Sequence, residues 1–219
     1  MNEKIYLIEE MDYLEHSNCY LIVGSKKCLL IDTGVGLIDF NEIKNRFVKD
    51  KELVVVITHF HFDHFAGSDQ FDMALANKNN LKNKDVGLKY FKKKDFKNNA
   101  FEKISHKEFN INENKFKQIK NESIINLGDF NFEIIFTPGH DESSISLFEN
   151  EKKILFSGDT IYDGKMYLDF EDSNNKEYIS SLKKILYKKP TIILGGHNAP
   201  ITKNISEFIT SKIDLAKEN

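Results

Sequence analysis

The sequence predicts an α+β fold in which two mixed β-sheets pack face to face and helices cover their outer surfaces. Three observations carry this. Short apolar, β-branched runs recur in two blocks, one ending at Ile57 and one starting at Phe130. Segments with helical apolar spacing separate and follow them. The resulting order, strands, helix, strand, excursion, strands, helix, strand, helix, suits two packed sheets with helices outside. At 219 residues the chain is long enough to bury a sizeable core.

Ile5 to Ile8, Cys19 to Val23 and Cys28 to Ile31 are the first strands. The second and third read as a hairpin around Gly24-Ser25-Lys26-Lys27. That register sets Cys28 opposite Val23 and Cys19 opposite Asp32. The two sulfurs then lie far apart along the ribbon, so a disulfide is not expected. Asp32-Thr33-Gly34 ends the third strand at a turn. Ile38, Phe40, Ile43, Phe47 and Val48 give an amphipathic helix over Ile38 to Val48. The continuous run Leu53-Val54-Val55-Val56-Ile57 reads as a fully buried strand that delivers the chain into Thr58-His59.

From Asn77 to Asn121 the composition turns to Lys and Asn, with Leu88, Tyr90, Phe91 and Phe96 scattered through it. This reads as a partly helical surface excursion, either a lid or a variable loop. Strands return at Phe130 to Phe136, Ile145 to Phe148 and Lys153 to Phe156, with Asn150-Glu151-Lys152 as a hairpin tip. Tyr178, Ile179, Leu182, Ile185 and Leu186 share one helical face, and Pro190 ends that helix. Thr191 to Leu194 is a strand, and Ile205, Phe208, Ile209 and Ile213 mark a closing helix. No internal repeat or flexible linker is visible and only three prolines occur. Residues 1–219 therefore read as one domain carrying the excursion at about 77–121.

With 31 basic and 34 acidic residues and a net charge of -3, no field of one sign points to nucleic acid or an anionic membrane. No apolar run approaches the roughly 20 residues a membrane helix needs. Met1-Asn2-Glu3-Lys4-Ile5-Tyr6 lacks the pattern of a secretory signal, so a cytoplasmic location is expected. A small-molecule substrate is the expected partner. Monomer and homodimer both remain open.

The chemistry concentrates where strands end. His59 and His61, two apart in extended chain, point to the same side and can grip one ion. Asp63 and His64 follow where the chain bends toward Gly67, so a second pair of ligands can face a neighbouring position. Two ions about 3.5–4 Å apart would clamp one hydroxide. His140, Asp159 and His197 each follow a strand through a glycine, at Thr137-Pro138-Gly139, Phe156-Ser157-Gly158 and Leu194-Gly195-Gly196. Three histidines and an aspartate packed into six positions are uncommon outside metal sites. His16 and His106 read as ordinary histidines without that role. Zinc suits imidazoles and carboxylates, and iron or manganese also accepts this donor set.

His59-Phe60-His61-Phe62-Asp63-His64 resembles the HxHxDH motif of the metallo-β-lactamase superfamily. Leu30-Ile31-Asp32-Thr33-Gly34, Thr137-Pro138-Gly139-His140, Ser157-Gly158-Asp159-Thr160 and Gly195-Gly196-His197 resemble its other motifs in order. The resemblance runs from about Asn18 to His197. It implies a four-layer αββα sandwich with the site at one edge between the sheets. It implies a first metal on His59, His61 and His140, a second on Asp63, His64 and His197, and Asp159 bridging both. It also implies an acid at Asp32 behind the ligands. The implied activity is hydrolysis of a thioester or ester by a hydroxide held between the ions, with Asp63 orienting or shuttling the proton.

Asp159 and the absence of an export signal disfavour a lactamase. Only 22 residues follow His197, which disfavours the glutathione-binding tail of glyoxalase II. The stretch Ser157 to Gly164 resembles small members acting on acyl thioesters, and Tyr162 is expected either to line the pocket, to donate to an oxyanion, or to pack against the sheet edge. The alternatives are a mononuclear iron persulfide dioxygenase and a metal-dependent phosphodiesterase or ribonuclease.

Overall fold

The computed structural model describes residues 4–83, 92–104 and 112–218. Leu88, Tyr90, Phe91 and His106, named above, lie outside the described residues.

One sheet has six strands in sequence order: β1 (Ile5–Glu9), β2 (Asn18–Val23), β3 (Lys27–Ile31), β4 (Glu52–Val56), β5 (Ala74–Ala76) and β6 (Phe116–Gln118). The first three are antiparallel, the rest parallel. The hairpin register is the expected one, with Val23 opposite Cys28, and both cysteines are free and buried. The second sheet runs β11 (Ile192–Gly195), β10 (Ile154–Gly158), β9 (Ile145–Glu149), β8 (Asn131–Phe136) and β7 (Ile124–Asn126). Only β10 and β11 pair in parallel.

The side-chain period of two sorts residues between layers. Tyr20, Ile22, Leu29 and Ile31 of the first sheet pack with Phe132, Ile134, Leu147 and Phe156 of the second. The alternate positions Cys19, Leu21, Cys28 and Leu30 face outward onto Phe40 and Val48. On the far side, Ile135, Phe148 and Leu155 meet α4 (Asn175–Lys188) and α5 (Ile205–Glu218) through Tyr178, Leu182 and Ile209. The layers are thus helix, sheet, sheet, helix.

Three details differ from the sequence reading. The helix expected over Ile38 to Val48 begins at the Asp39 cap as α1 (Phe40–Ile43). It then widens into a π-turn over Lys44–Val48 that ends at Lys49, whose φ is +56. Strands β5, β6 and β7 carry no sequence signal, because three residues are too few to show a period. Within the excursion, α3 (Ala100–Ile104) is helical, while Phe116–Gln118 joins the sheet edge beside β5. A further short α-helix is α2 (Phe62–Phe65), continued by a 3-10 turn over Ala66–Gln70.

This topology sets the site. β3 and β4 run parallel, so Asp32 and Thr58-His59 leave the first sheet at one end. β8, β10 and β11 likewise share a direction, so His140, Asp159 and His197 leave the second sheet together. The two ends are joined by hydrogen bonds from Ile145 N to Thr58 O at 2.9 Å and from Asn18 N to Gly196 O at 2.7 Å.

Candidate metal centre

All seven histidine and aspartate side chains singled out in the sequence come together at this end. His59, His61 and His140 offer nitrogens that lie within 4.8 Å of one another, and so do the donor atoms of Asp63, His64 and His197. Asp159 stands between the two groups. Its Oδ1 is 3.2 Å from His64 Nε2, and its Oδ2 is 3.1 Å from His197 Nε2 and 3.7 Å from His140 Nε2.

The outward nitrogen of four rings is held by the protein. His140 Nδ1 donates to Tyr167 O at 2.9 Å, and His197 Nδ1 to Glu15 O at 2.9 Å. His64 Nδ1 donates to Asp32 Oδ2 at 2.9 Å. Thr58 Oγ1 donates to the same Asp32 oxygen at 2.8 Å and accepts from His59 Nδ1 at 3.1 Å. A carbonyl or carboxylate can only accept, so these contacts place a proton on Nδ1 and turn Nε2 toward the cluster, where it can donate its lone pair once the ring is neutral. Asp32 also accepts from Thr58 N at 2.7 Å, and it sits at φ +61. Such a left-handed aspartate costs free energy and persists where the surroundings hold it.

The donor set fits a metal on a direct observation. Among the described residues His59 Nε2, His64 Nε2 and Asp159 Oδ1 are buried without a well-formed hydrogen bond, although the last two lie 3.2 Å apart. Orphaned polar atoms cost about 1–3 kcal/mol each, and three that converge on one space suit a cation.

The electrostatics divide the site. Burial holds the His59 imidazole well below its usual range and His140 at about 4, so both favour the neutral form. Burial also opposes charge at His64 and His197. There the Asp159 and Asp63 carboxylates outweigh it, lifting His64 well up and His197 to about 9. Asp159 is correspondingly held well below the carboxylate range by His197 and His64, against its burial. One half is a cage of neutral imidazoles and the other a charge-separated cluster.

Other contacts were not legible in the sequence. A loop before α4 braces His140 and His61: Ser173 Oγ donates to His140 O at 2.8 Å, and the Phe170 ring stands edge-on to His61 at 5.0 Å. Asp141 and Asp172 lie behind His61. Burial pushes Asp141 up to about 6, whereas at Asp172 the nearby His61 and Asp141 outweigh burial and draw it to about 2. Glu15 and Tyr167 supply backbone carbonyls, which carry no side-chain signal at all.

Tyr162 sits differently from two of its three expected roles. Its hydroxyl donates to Lys165 O at 2.7 Å, and its ring packs 5.2 Å from His197. Gly195 and Gly164 press against it, so it supports the site from the side and offers no donor to the cleft. His16 lies away from the cluster, with Nε2 at 3.3 Å from Lys97 Nζ.

A cleft of about 420 Å³ opens over the cluster. Tyr13, Leu14, Phe62 and Phe170 give it apolar walls, and Lys92 and Lys94 stand at its rim. The rim is built from the chain at Tyr13-Leu14 paired with Asp95-Phe96, through Leu14 N to Asp95 O at 2.9 Å. Among the described residues no helix is long and apolar enough to cross a membrane.

Comparison with known proteins agrees with this geometry. The model of the metallo-beta-lactamase superfamily matches residues 12–197. A human acyl-coenzyme A thioesterase, MBLAC2, is 28% identical over 209 residues, covering 85% of this chain and 74% of the relative. Hydroxyacylglutathione hydrolase GloC of Haemophilus influenzae is 35% identical over 96 residues, 41% of this chain and 45% of the relative. The fold matches the crystal structure of ST1585, an archaeal superfamily protein from Sulfolobus tokodaii, with TM-score 0.70, 19% identity and coverage of 96% and 85%. The chain belongs to the metallo-beta-lactamase superfamily and is a metal-dependent hydrolase of that group.

Proposed function

We propose that this superfamily member hydrolyses a thioester or ester, an acyl thioester first among them, at a centre of two divalent ions. His59, His61 and His140 would hold one ion and Asp63, His64 and His197 the other, with Asp159 shared. The observation that carries this is the position of Asp159 between the two groups of donors: its carboxylate lies 3.2 Å from His64 Nε2 and 3.1 Å from His197 Nε2 on one side, and 3.7 Å from His140 Nε2 on the other. Zinc is the ion we assign. The reading is of a single domain over residues 1–219 that acts in the cytoplasm on a small molecule, as a monomer or homodimer.

When bound, such ions acidify a water and polarise the carbonyl it attacks. The chain's own residues do the rest. Asp63, 3.4 Å from His197 Nε2 and on the cleft wall, accepts and passes on the proton. Tyr13, Leu14, Phe62 and Phe170 remove water from around the acyl group, where polar interactions then act more strongly. Lys92 and Lys94 at the rim suit an anionic carrier attached to it. Similarity to the acyl-coenzyme A thioesterase MBLAC2 supports that class.

The test pairs metal analysis with a hydrolysis screen over acyl thioesters, lactones, phosphodiesters and β-lactams. Two zinc ions per chain and turnover of acyl thioesters above the other classes are expected. One tightly held iron with oxygen uptake would replace the reading by a persulfide dioxygenase. Preference for phosphodiesters would replace it by a nuclease.

A further inference from the structure

His61 is the one site histidine whose outward nitrogen lacks a fixed partner among the described residues. Its Nδ1 faces the first group, 2.9 Å from His140 Nε2. Its Nε2 is buried with no hydrogen bond, and Asp172 Oδ2 stands 3.8 Å away. Asp172 is itself buried. Its backbone is tied down on the C-terminal side, where Ser173 Oγ bonds His140 O and Asn174 N bonds Gly139 O at 2.7 Å. The carboxyl of Asp141, gripped by Ser143 N at 2.5 Å and by the Ser143 hydroxyl, lies beside that of Asp172, with donor atoms of His61, Asp141 and Asp172 within 4.8 Å of one another. Asp172 thus turns a carboxylate oxygen toward His61 Nε2, and a carboxylate can only accept. Phe170 packs on the His61 ring and shields this contact.

We propose that Asp172, braced by Asp141, is the positioning carboxylate of His61: it accepts the Nε2 proton, which fixes the tautomer and leaves the Nδ1 lone pair for an ion. The other four rings are held through Nδ1 and present Nε2, whereas His61 is turned the opposite way round. Without an acceptor behind it, the proton could settle on Nδ1 and block donation. This inference rests on the reading that His61 holds an ion.

The test uses ring-nitrogen NMR of the zinc-loaded protein with labelled histidine, and zinc affinity by chelator competition. His61 is expected to carry its proton on Nε2. Asp172→Ala is expected to lower zinc affinity about 10–100-fold, the usual effect of removing a ligand's hydrogen-bond partner. Asp172→Asn keeps an accepting oxygen and is expected to stay within a few-fold of wild type. A proton on Nδ1 in the wild-type protein overturns the proposal without any variant. So does unchanged affinity in Asp172→Ala, or a third zinc per chain bound by His61, Asp141 and Asp172 together. His61→Ala separates the two readings. If that variant holds zinc as wild type does, the ion assignment fails; if only the Asp172 variants do, the positioning role fails.

Discussion

Asp32 Oδ2 lies 2.9 Å from His64 Nδ1 and, through the Thr58 hydroxyl, also governs His59. One buried acid thus orients a ring in each half of the centre. Asp32→Ala should lower zinc affinity and turnover together by about 10–100-fold, measured by chelator competition and initial rates. Loss of one ion with the other unaffected would show that the Thr58 link carries nothing.

Gly196 passes directly beside the cluster, where an added methyl would strike Asp159 and His64. Gly196→Ala is expected to cut turnover at least about tenfold, since small misplacements of reacting groups are costly. Wild-type rates from this variant would mean that the loop shifts freely.

His197 keeps its proton to about 9 in the metal-free chain because Asp159 and Asp63 outweigh burial. Its folded value lies above the unfolded one, so this group's stabilisation is complete below about 6.5 and is lost as pH rises through about 9. An ion must displace that proton. Zinc titrated calorimetrically at pH 7 in buffers of different ionisation enthalpy should therefore release at least one proton per chain. Release of none would contradict the assigned charge state.

Asp63→Asn removes the proton acceptor but keeps the side chain's shape. Turnover should fall by about 100-fold or more, in line with general-base contributions, while metal content, read by elemental analysis, drops less. Unchanged turnover would remove Asp63 from the chemistry.

Glu10 holds the turn after β3. Its carboxylate accepts from Val35 N at 2.5 Å and Leu37 N at 2.7 Å, and from Gly36 N and Ile38 N at 3.2 Å. Glu10→Ala should cost about 2–3 kcal/mol, a melting shift of roughly 4–12 °C for a chain of this size. Calorimetry showing no shift would mean that water replaces the carboxylate.

What the sequence determined by itself was the layered fold and the identity of the clustered side chains. Both are written in local pattern: strand period, helical spacing, and a glycine before each lone His or Asp. β5, β6 and β7 escaped because three residues show no period, and Asp172 escaped because an acid before a helix looks like any solvated turn. Only the tertiary structure decided which nitrogen each ring presents. That depends on partners distant in the chain, Asp32 for His64, Glu15 for His197 and Tyr167 for His140. Two of those three act through backbone carbonyls that every residue possesses. A hydrogen bond between main chain and ring leaves no trace in composition or spacing. It exists only because five strands end at the same edge.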